Sequence, residues 1–222
     1  MYVIILQDRV VLAFPETLPY THLVERKPLY DIRDYTALIN PEELKMGDII
    51  IHEEEIKERV HELAEEIAEV YRGKNLLLVG LLKGASFITT DLMKELFKLG
   101  LEDVQMDFMT VSSYGQGTTS AGKIRIDQDM TEKNPQGRHV LVVDDIADTL
   151  HTFAGIAEYM QPKGLASFAT LSLLEKPDRH EVPFPLDFVG FKIPDVWVEG
   201  YGMDTGQYYR GNPNIVKGGI RK

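Results

Sequence analysis

Unbroken apolar runs alternate along this chain with stretches in which apolar residues recur every three or four positions. Leu76 to Leu82, Val140 to Val143 and Leu165 to Leu174 are near-continuous apolar segments. That pattern fits strands covered on both faces, as in a parallel sheet. Ile56, Val60, Leu63, Ile67, Val70 and Tyr71 recur at helical spacing, with Glu and Lys on the other face. They predict a helix over 53–72 that Gly73 ends. Glu53, Glu54 and Glu55 read as a solvated first turn, which suits the helix dipole, rather than as a metal site. A second helix follows Leu82, with Phe87, Leu92, Leu96 and Phe97 on its apolar side, and a third spans 149–160.

Val104 to Ser112 and residues 123–128 flank the glycine-rich, uncharged stretch 113–120. They predict an antiparallel arm whose root carries Tyr114, a candidate lid over a reacting centre. Short strands over 188–191 and 196–198 precede a polar and aromatic loop from Gly200 to Arg210. Val3–Leu6 and Val10–Phe14 predict a short strand pair. Pro15, Pro19, Pro28 and Pro41 then argue for irregular connection through the rest of the first 50 residues. Strands alternating with helices make the fold α/β, a mostly parallel twisted sheet flanked by helices.

Length and charge narrow the function. At 222 residues the expectation is a single domain spanning 1–222. The chain has no cysteine, which excludes disulfides and thiolate chemistry and fits a reducing compartment. A net charge of −11 argues against a nucleic-acid partner. No apolar run approaches the roughly 20 residues that span a bilayer. The first residues lack a basic leader and a cleavage site. The expectation is a soluble cytoplasmic protein.

The chemistry gathers where apolar runs end. Val140–Val143 stops at Asp144 and Asp145, and Asp148, Thr149 and Thr152 follow. Leu76–Leu82 stops at Lys83-Gly84, and the 165–174 run stops before Lys176. In open α/β sheets, ligands lie beyond the carboxyl ends of the strands, so these distant residues converge on one crevice. Lys and Gly at a strand-to-helix turn offer a cation and backbone N–H groups to an anion, although the spacing is not that of a P-loop. Acids followed by hydroxyls suit a sugar and then a phosphate. With Trp197, Asp204 and Arg210 from the tail, the set suits a phosphorylated sugar and a planar heterocycle.

At this point the chain closely resembles the hypoxanthine-guanine phosphoribosyltransferases. The resemblance is carried by Leu141-Val-Val-Asp-Asp-Ile-Ala-Asp-Thr149, which is similar to that family's phosphoribosyl-diphosphate motif. Leu82-Lys83-Gly84, Ser113-Tyr114, Lys176-Pro177, Asp187 to Phe191, Ile193-Pro194-Asp195, and the tail from Gly200 through Asp204 to Arg210 support it in the right order. The resemblance implies the type I phosphoribosyltransferase fold, with a small hood from residues 1–50 and about 176–222. It implies Mg²⁺-dependent transfer of a phosphoribosyl group from its pyrophosphate ester (phosphoribosyl pyrophosphate) to a 6-oxopurine, giving IMP or GMP, by a homodimer or homotetramer.

By the same resemblance, Asp144 and Asp145 hold the ribose hydroxyls directly or through Mg²⁺. Asp148, Thr149, Leu150, His151 and Thr152 wrap the 5′-phosphate, and Asp148 is the candidate general base. Lys83, Gly84 and Arg210 clamp pyrophosphate, Asp204 takes its Mg²⁺, and Ser113 and Tyr114 belong to the substrate-facing arm. Lys176 donates to the purine 6-oxygen, Trp197 stacks on the ring and the Val198 backbone reads its edge. Catalysis falls to Asp148, Lys176 and Arg210. The chain departs from the family pattern at Leu150, where glycine is usual, and at Ala85. Glycine permits positive φ and close phosphate approach, and leucine largely forbids both. Leu150 keeps a weakly active nucleotide-binding regulator as an alternative, and because Lys176 and Trp197 argue only against adenine, a xanthine-preferring enzyme is a second.

Overall fold

Two short strands, β1 (Tyr2–Leu6) and β2 (Arg9–Ala13), pair antiparallel in a sheet of their own. The coordinates are a computed structural model that describes residues 2–6, 9–13, 29–113, 124–132 and 135–219. β3 (Arg33–Asp34) and β4 (Ile49–Ile51) lead into α1 (Glu53–Tyr71), β5 (Leu76–Leu82) and α2 (Ser86–Lys98). β6 (Gln105–Ser113) and β7 (Ile124–Gln128) form the antiparallel arm. β8 (His139–Ala147), α3 (His151–Met160), β9 (Ser167–Glu175) and β10 (Phe188–Lys192) continue the alternation, followed by β11 (Val198–Glu199) and β12 (Ile215–Lys217).

The main sheet has the order β3-β10-β9-β8-β5-β6-β7, with every neighbouring pair parallel except β6–β7. The continuous apolar runs have a direct cause: successive residues of one strand feed two cores. Leu76 and Leu78 of β5 pack with Leu141 and Val143 of β8 against α1 and α2. Leu77, Val79 and Leu81 pack with Val140 and Val142 against Phe153, Ile156 and Met160 of α3. Fully burying one such side chain stabilises by about 1.5–3 kcal/mol, so both layers are held by the same strands. A separate antiparallel sheet, in the order β11-β12-β4, joins segments far apart in sequence. Among the described residues, no helix is long and apolar enough to cross a membrane.

Two expectations change. Ile88, Thr89, Leu92 and Leu96 form the buried face of α2, whereas Phe87 and Phe97 are exposed. Both phenylalanines sit on the flank of that stripe, and Phe87 instead meets Tyr201 edge-on at 5.8 Å. The polar face of α1 is also not wholly solvated. Arg59 is buried and donates to the carbonyls of Gly190 at 3.1 Å and Val189 at 2.8 Å. Glu62 at 2.9 Å and buried Glu66 at 3.3 Å balance its charge. The helix is thereby fastened to β10 by a buried cation that finds both backbone acceptors and carboxylates.

Candidate active site

Because β5, β8 and β9 run parallel, their carboxyl ends open on one crevice. At the end of β5 the Leu82–Lys83 peptide bond is cis, and Gly84 then lies directly against Asp145. At the end of β8, the Asp145 N–H donates to Asp144 Oδ1 and the Ile146 N–H to Asp145 Oδ1, each at 3.0 Å. Burial, with the Asp145 charge beside it, pushes the Asp144 carboxyl well above the usual range. Burial also raises Asp145, against hydrogen bonding by Asp144 and local N–H groups and the pull of the Arg210 charge. Two adjacent carboxyls that resist ionising together suit a cation or hydroxyl donors.

The loop after β8 takes the left-handed turn that a glycine usually supplies. Leu150 has φ 68° and ψ −2°, the left-handed conformation a glycine would take, and its side chain is only 3% exposed in the α3 core. The left-handed conformation costs about 1–2 kcal/mol. Burying a leucine returns about 1.5–3 kcal/mol, so leucine can hold the turn. α3 starts without a side-chain cap, which leaves the N–H groups of its first turn, beside Thr149 and Thr152, to an anion. His151 Nε2 stands 3.0 Å from Glu181 Oε2, and the Glu181 N–H donates to the Thr149 carbonyl at 3.2 Å. The 181 segment thus braces the loop from outside.

At the other side of the crevice, Lys176 is 6% exposed, and its Nζ stands 3.4 Å from Asp195 Oδ1. Its own N–H donates to the Ala147 carbonyl, which ties it to the end of β8. Arg179 Nε donates to Asp148 Oδ1 at 2.9 Å. Trp197 is 60% exposed, and its indole N–H is anchored on Thr205 Oγ1 at 2.8 Å, so the ring is held while remaining accessible. Val198 is buried in β11 opposite Lys217.

The tail loop folds over the turn after β5. Arg210 donates to the Gly202 carbonyl and pairs with Asp204 Oδ1, both at 2.6 Å. Asp204 Oδ2 accepts from the Gln207 N–H at 2.6 Å, and Lys83 Nζ donates to Gln207 Oε1 at 3.1 Å. Lys83, Gly84, Asp145, Asp204 and Arg210 therefore form one neighbourhood. Among the described residues, no group of three or more His, Asp or Glu side chains could hold a metal alone. The carboxylates present fit Mg²⁺ bound by one or two acids plus substrate oxygens. Ser113 ends β6 with its backbone paired to Ile124, and Tyr114 lies outside the described residues. A separate cavity of about 470 Å³, lined in part by Tyr71, Lys74 and Asp103, lies at the amino ends of the strands, away from this chemistry.

Sequence reasoning assigned no role to Arg179, Glu181, Asp195, Thr205 or Gln207. Asp195 stands in a quoted motif, but its partners are visible only in three dimensions. The phosphoribosyl transferase domain family matches residues 47–205. The hypoxanthine phosphoribosyltransferase of Escherichia coli is 40% identical over 172 residues, which make up 77% of this chain and 94% of that one. The chain belongs to the hypoxanthine-guanine phosphoribosyltransferase family.

A second member of the hypoxanthine-guanine phosphoribosyltransferase family, from Aquifex aeolicus, is 41% identical over 75% of this chain and 92% of its own. The crystal structure of a hypoxanthine phosphoribosyltransferase from Staphylococcus aureus superposes with a TM-score of 0.72 at 35% identity, covering 80% of this chain and 93% of that one. The chain spans only 29% of the length of the bifunctional TilS/HprT protein of Listeria monocytogenes, to which it is 39% identical over 192 residues.

Proposed function

We propose that this chain is a purine-salvage enzyme that transfers the 5-phosphoribosyl group of phosphoribosyl pyrophosphate to hypoxanthine or guanine, forming IMP or GMP and pyrophosphate. The observation that carries the choice of base is Lys176, a buried ammonium at the crevice wall. A lysine only donates, so it matches a purine 6-oxygen and leaves adenine's amino group without a partner.

The remaining residues divide the substrate between them. Asp144 and Asp145 hold the ribose hydroxyls and stabilise positive charge as the ribose bond to pyrophosphate breaks. Asp148 through Thr152 take the 5′-phosphate on the open start of α3. Lys83, Gly84 and Arg210 clamp pyrophosphate. Asp144, Asp145 and Asp204 are the residues that would hold Mg²⁺, whose charge neutralises the departing pyrophosphate. Trp197 stacks on the base, the Val198 backbone reads its edge, and Asp148 holds the proton at its imidazole nitrogen. Ser113 and Tyr114 are assigned to substrate by the family resemblance alone. The working protein is a cytoplasmic homodimer or homotetramer, with the hood sheet and the main sheet forming one domain. The glycine-like conformation of Leu150 supports an active phosphate loop over the reading as a nucleotide-binding regulator.

Purified chain with phosphoribosyl pyrophosphate, Mg²⁺ and each of hypoxanthine, guanine, xanthine and adenine tests this reading. Nucleotide is expected from hypoxanthine and guanine. No product from any base would overturn the enzyme assignment. Preference for xanthine would move the substrate within the 6-oxopurines, and turnover of adenine alone would overturn the role of Lys176.

A further inference from the structure

Four side chains at the base end of the crevice form a row of alternating charge. Lys176 Nζ stands 3.4 Å from Asp195 Oδ1, Asp195 Oδ2 stands 3.8 Å from Arg179 Nε, and Arg179 Nε lies 2.9 Å from Asp148 Oδ1. The ends of the row are the two groups assigned to the purine, an ammonium for the 6-oxygen and a carboxylate for the imidazole nitrogen. Those two purine atoms lie side by side on one rigid edge. A base that engages both groups must find them at one separation.

The four residues come from different parts of the chain. Asp148 follows β8, Lys176 follows β9, Arg179 ends the short 3₁₀ turn Pro177–Arg179, and Asp195 lies between β10 and β11. Lys176 is fixed by burial, but the side chains of Asp148, Arg179 and Asp195 are 43, 45 and 53% exposed. Packing does not fix those three; their pairing does. Such exposed pairs contribute little to stability, so their effect is on placement. Asp195 also gives the buried ammonium a carboxylate close by, which limits the cost of its desolvation.

We infer that Arg179 and Asp195 are positioning residues that set the separation of Lys176 and Asp148, and so select a base carrying an oxo group beside a ring nitrogen. This rests on the 6-oxopurine reading above. Neither side chain need touch the base, because each acts through a residue that does.

The test uses the full chain with Mg²⁺ and phosphoribosyl pyrophosphate, comparing Arg179→Met, Asp195→Asn, the double variant and Arg179→Lys. Each single variant is expected to lower kcat/KM for hypoxanthine by about tenfold to a hundredfold, the scale of one charge-assisted hydrogen bond. The Kd for phosphoribosyl pyrophosphate without base is expected to stay within about twofold. The double variant is expected to be no worse than the poorer single one, as for residues acting as a unit. Arg179→Lys should recover part of the loss. Unchanged kinetics, losses that multiply in the double variant, or an equal weakening of phosphoribosyl pyrophosphate binding would each overturn the inference. Should Arg179→Met fail to fold, the nearly isosteric Asp195→Asn gives the same reading alone. A wild-type chain inactive on every 6-oxopurine fails the functional assignment instead, which keeps the two outcomes apart.

Discussion

Gly84 meets Asp145 with no space between them: a Cβ on Gly84 would stand 1.7 Å from Asp145 Oδ2 and 2.3 Å from its Cγ. The turn after β5 and Asp145 at the end of β8 are therefore fitted as one surface. Gly84→Ala must displace the carboxylate or the turn. A misplacement of about 1 Å can cost roughly a hundredfold in rate, and overpacking costs about 1–3 kcal/mol. The expected outcome is a loss of at least about a hundredfold in kcat/KM with a drop in Tm of only a few degrees. Wild-type kinetics in this variant would show that Asp145 is free to move.

Leu150 sets two effects against each other. Leu150→Gly relieves a left-handed leucine, worth about 1–2 kcal/mol, but removes a buried side chain, worth about 2–5 kcal/mol. The second effect wins. The variant should lose about 1–3 kcal/mol of stability while its affinity for phosphoribosyl pyrophosphate stays within about threefold. Leu150→Ala keeps the strain and loses the side chain, so its Tm should fall below that of the glycine variant. Calorimetry and titration on the three proteins decide it, and a glycine variant more stable than wild type would refute it.

Asp148 Oδ1 accepts a hydrogen bond from Arg179 Nε at 2.9 Å. In the proposed role of base at the purine nitrogen, its amide variant would lose proton transfer while keeping the size of the side chain. Asp148→Asn should lower kcat by about 10²–10⁴, with the KM for phosphoribosyl pyrophosphate changed only a few-fold. A pre-steady-state burst separates chemistry from product release. An unchanged single-turnover rate would remove Asp148 from that role.

Asp107 supplies a pH signature away from the site. Burial raises its carboxyl, but N–H donation from Glu132 and Phe108 and the Thr131 hydroxyl hold it below its ordinary 3.8. A depressed carboxylate contributes stability that is present above its unfolded value and lost as pH falls through its folded value. Asp107→Asn should therefore cost about 1–2 kcal/mol at pH 7, and the gap should narrow only below about pH 4. Urea midpoints at pH 7, 5 and 3 measure it; a gap that has closed by pH 5 would contradict the bond pattern.

Much of this architecture was legible because burial on both faces leaves a plain mark. The apolar run Leu76 to Leu82 coincides with β5. The meeting of the strand ends was legible because parallel strands open on one side, and Gly84 after β5 does lie against Asp145 of β8. Less could be read where order comes from distant partners. β3, β4 and β12 have two or three residues each, too few for a period to show. Nothing along the helix marks Arg59 as buried, because the carbonyls that receive it lie some 130 residues away. The row from Lys176 to Asp148 is invisible for the same reason: its middle members acquire meaning only from the residues they separate.

β12 lies between β11 and β4, and the Gly218 N–H donates to the Trp197 carbonyl at 2.9 Å. Every side chain assigned to substrate precedes residue 211, yet the strand that seats Trp197 comes after it. A chain still emerging from the ribosome at that point carries the whole chemical inventory without the strand that pins the Trp197 backbone. Activity should therefore arrive in one step when residues 215–218 dock. Stops placed before Ile215 should all be equally silent, however little of the chain they remove.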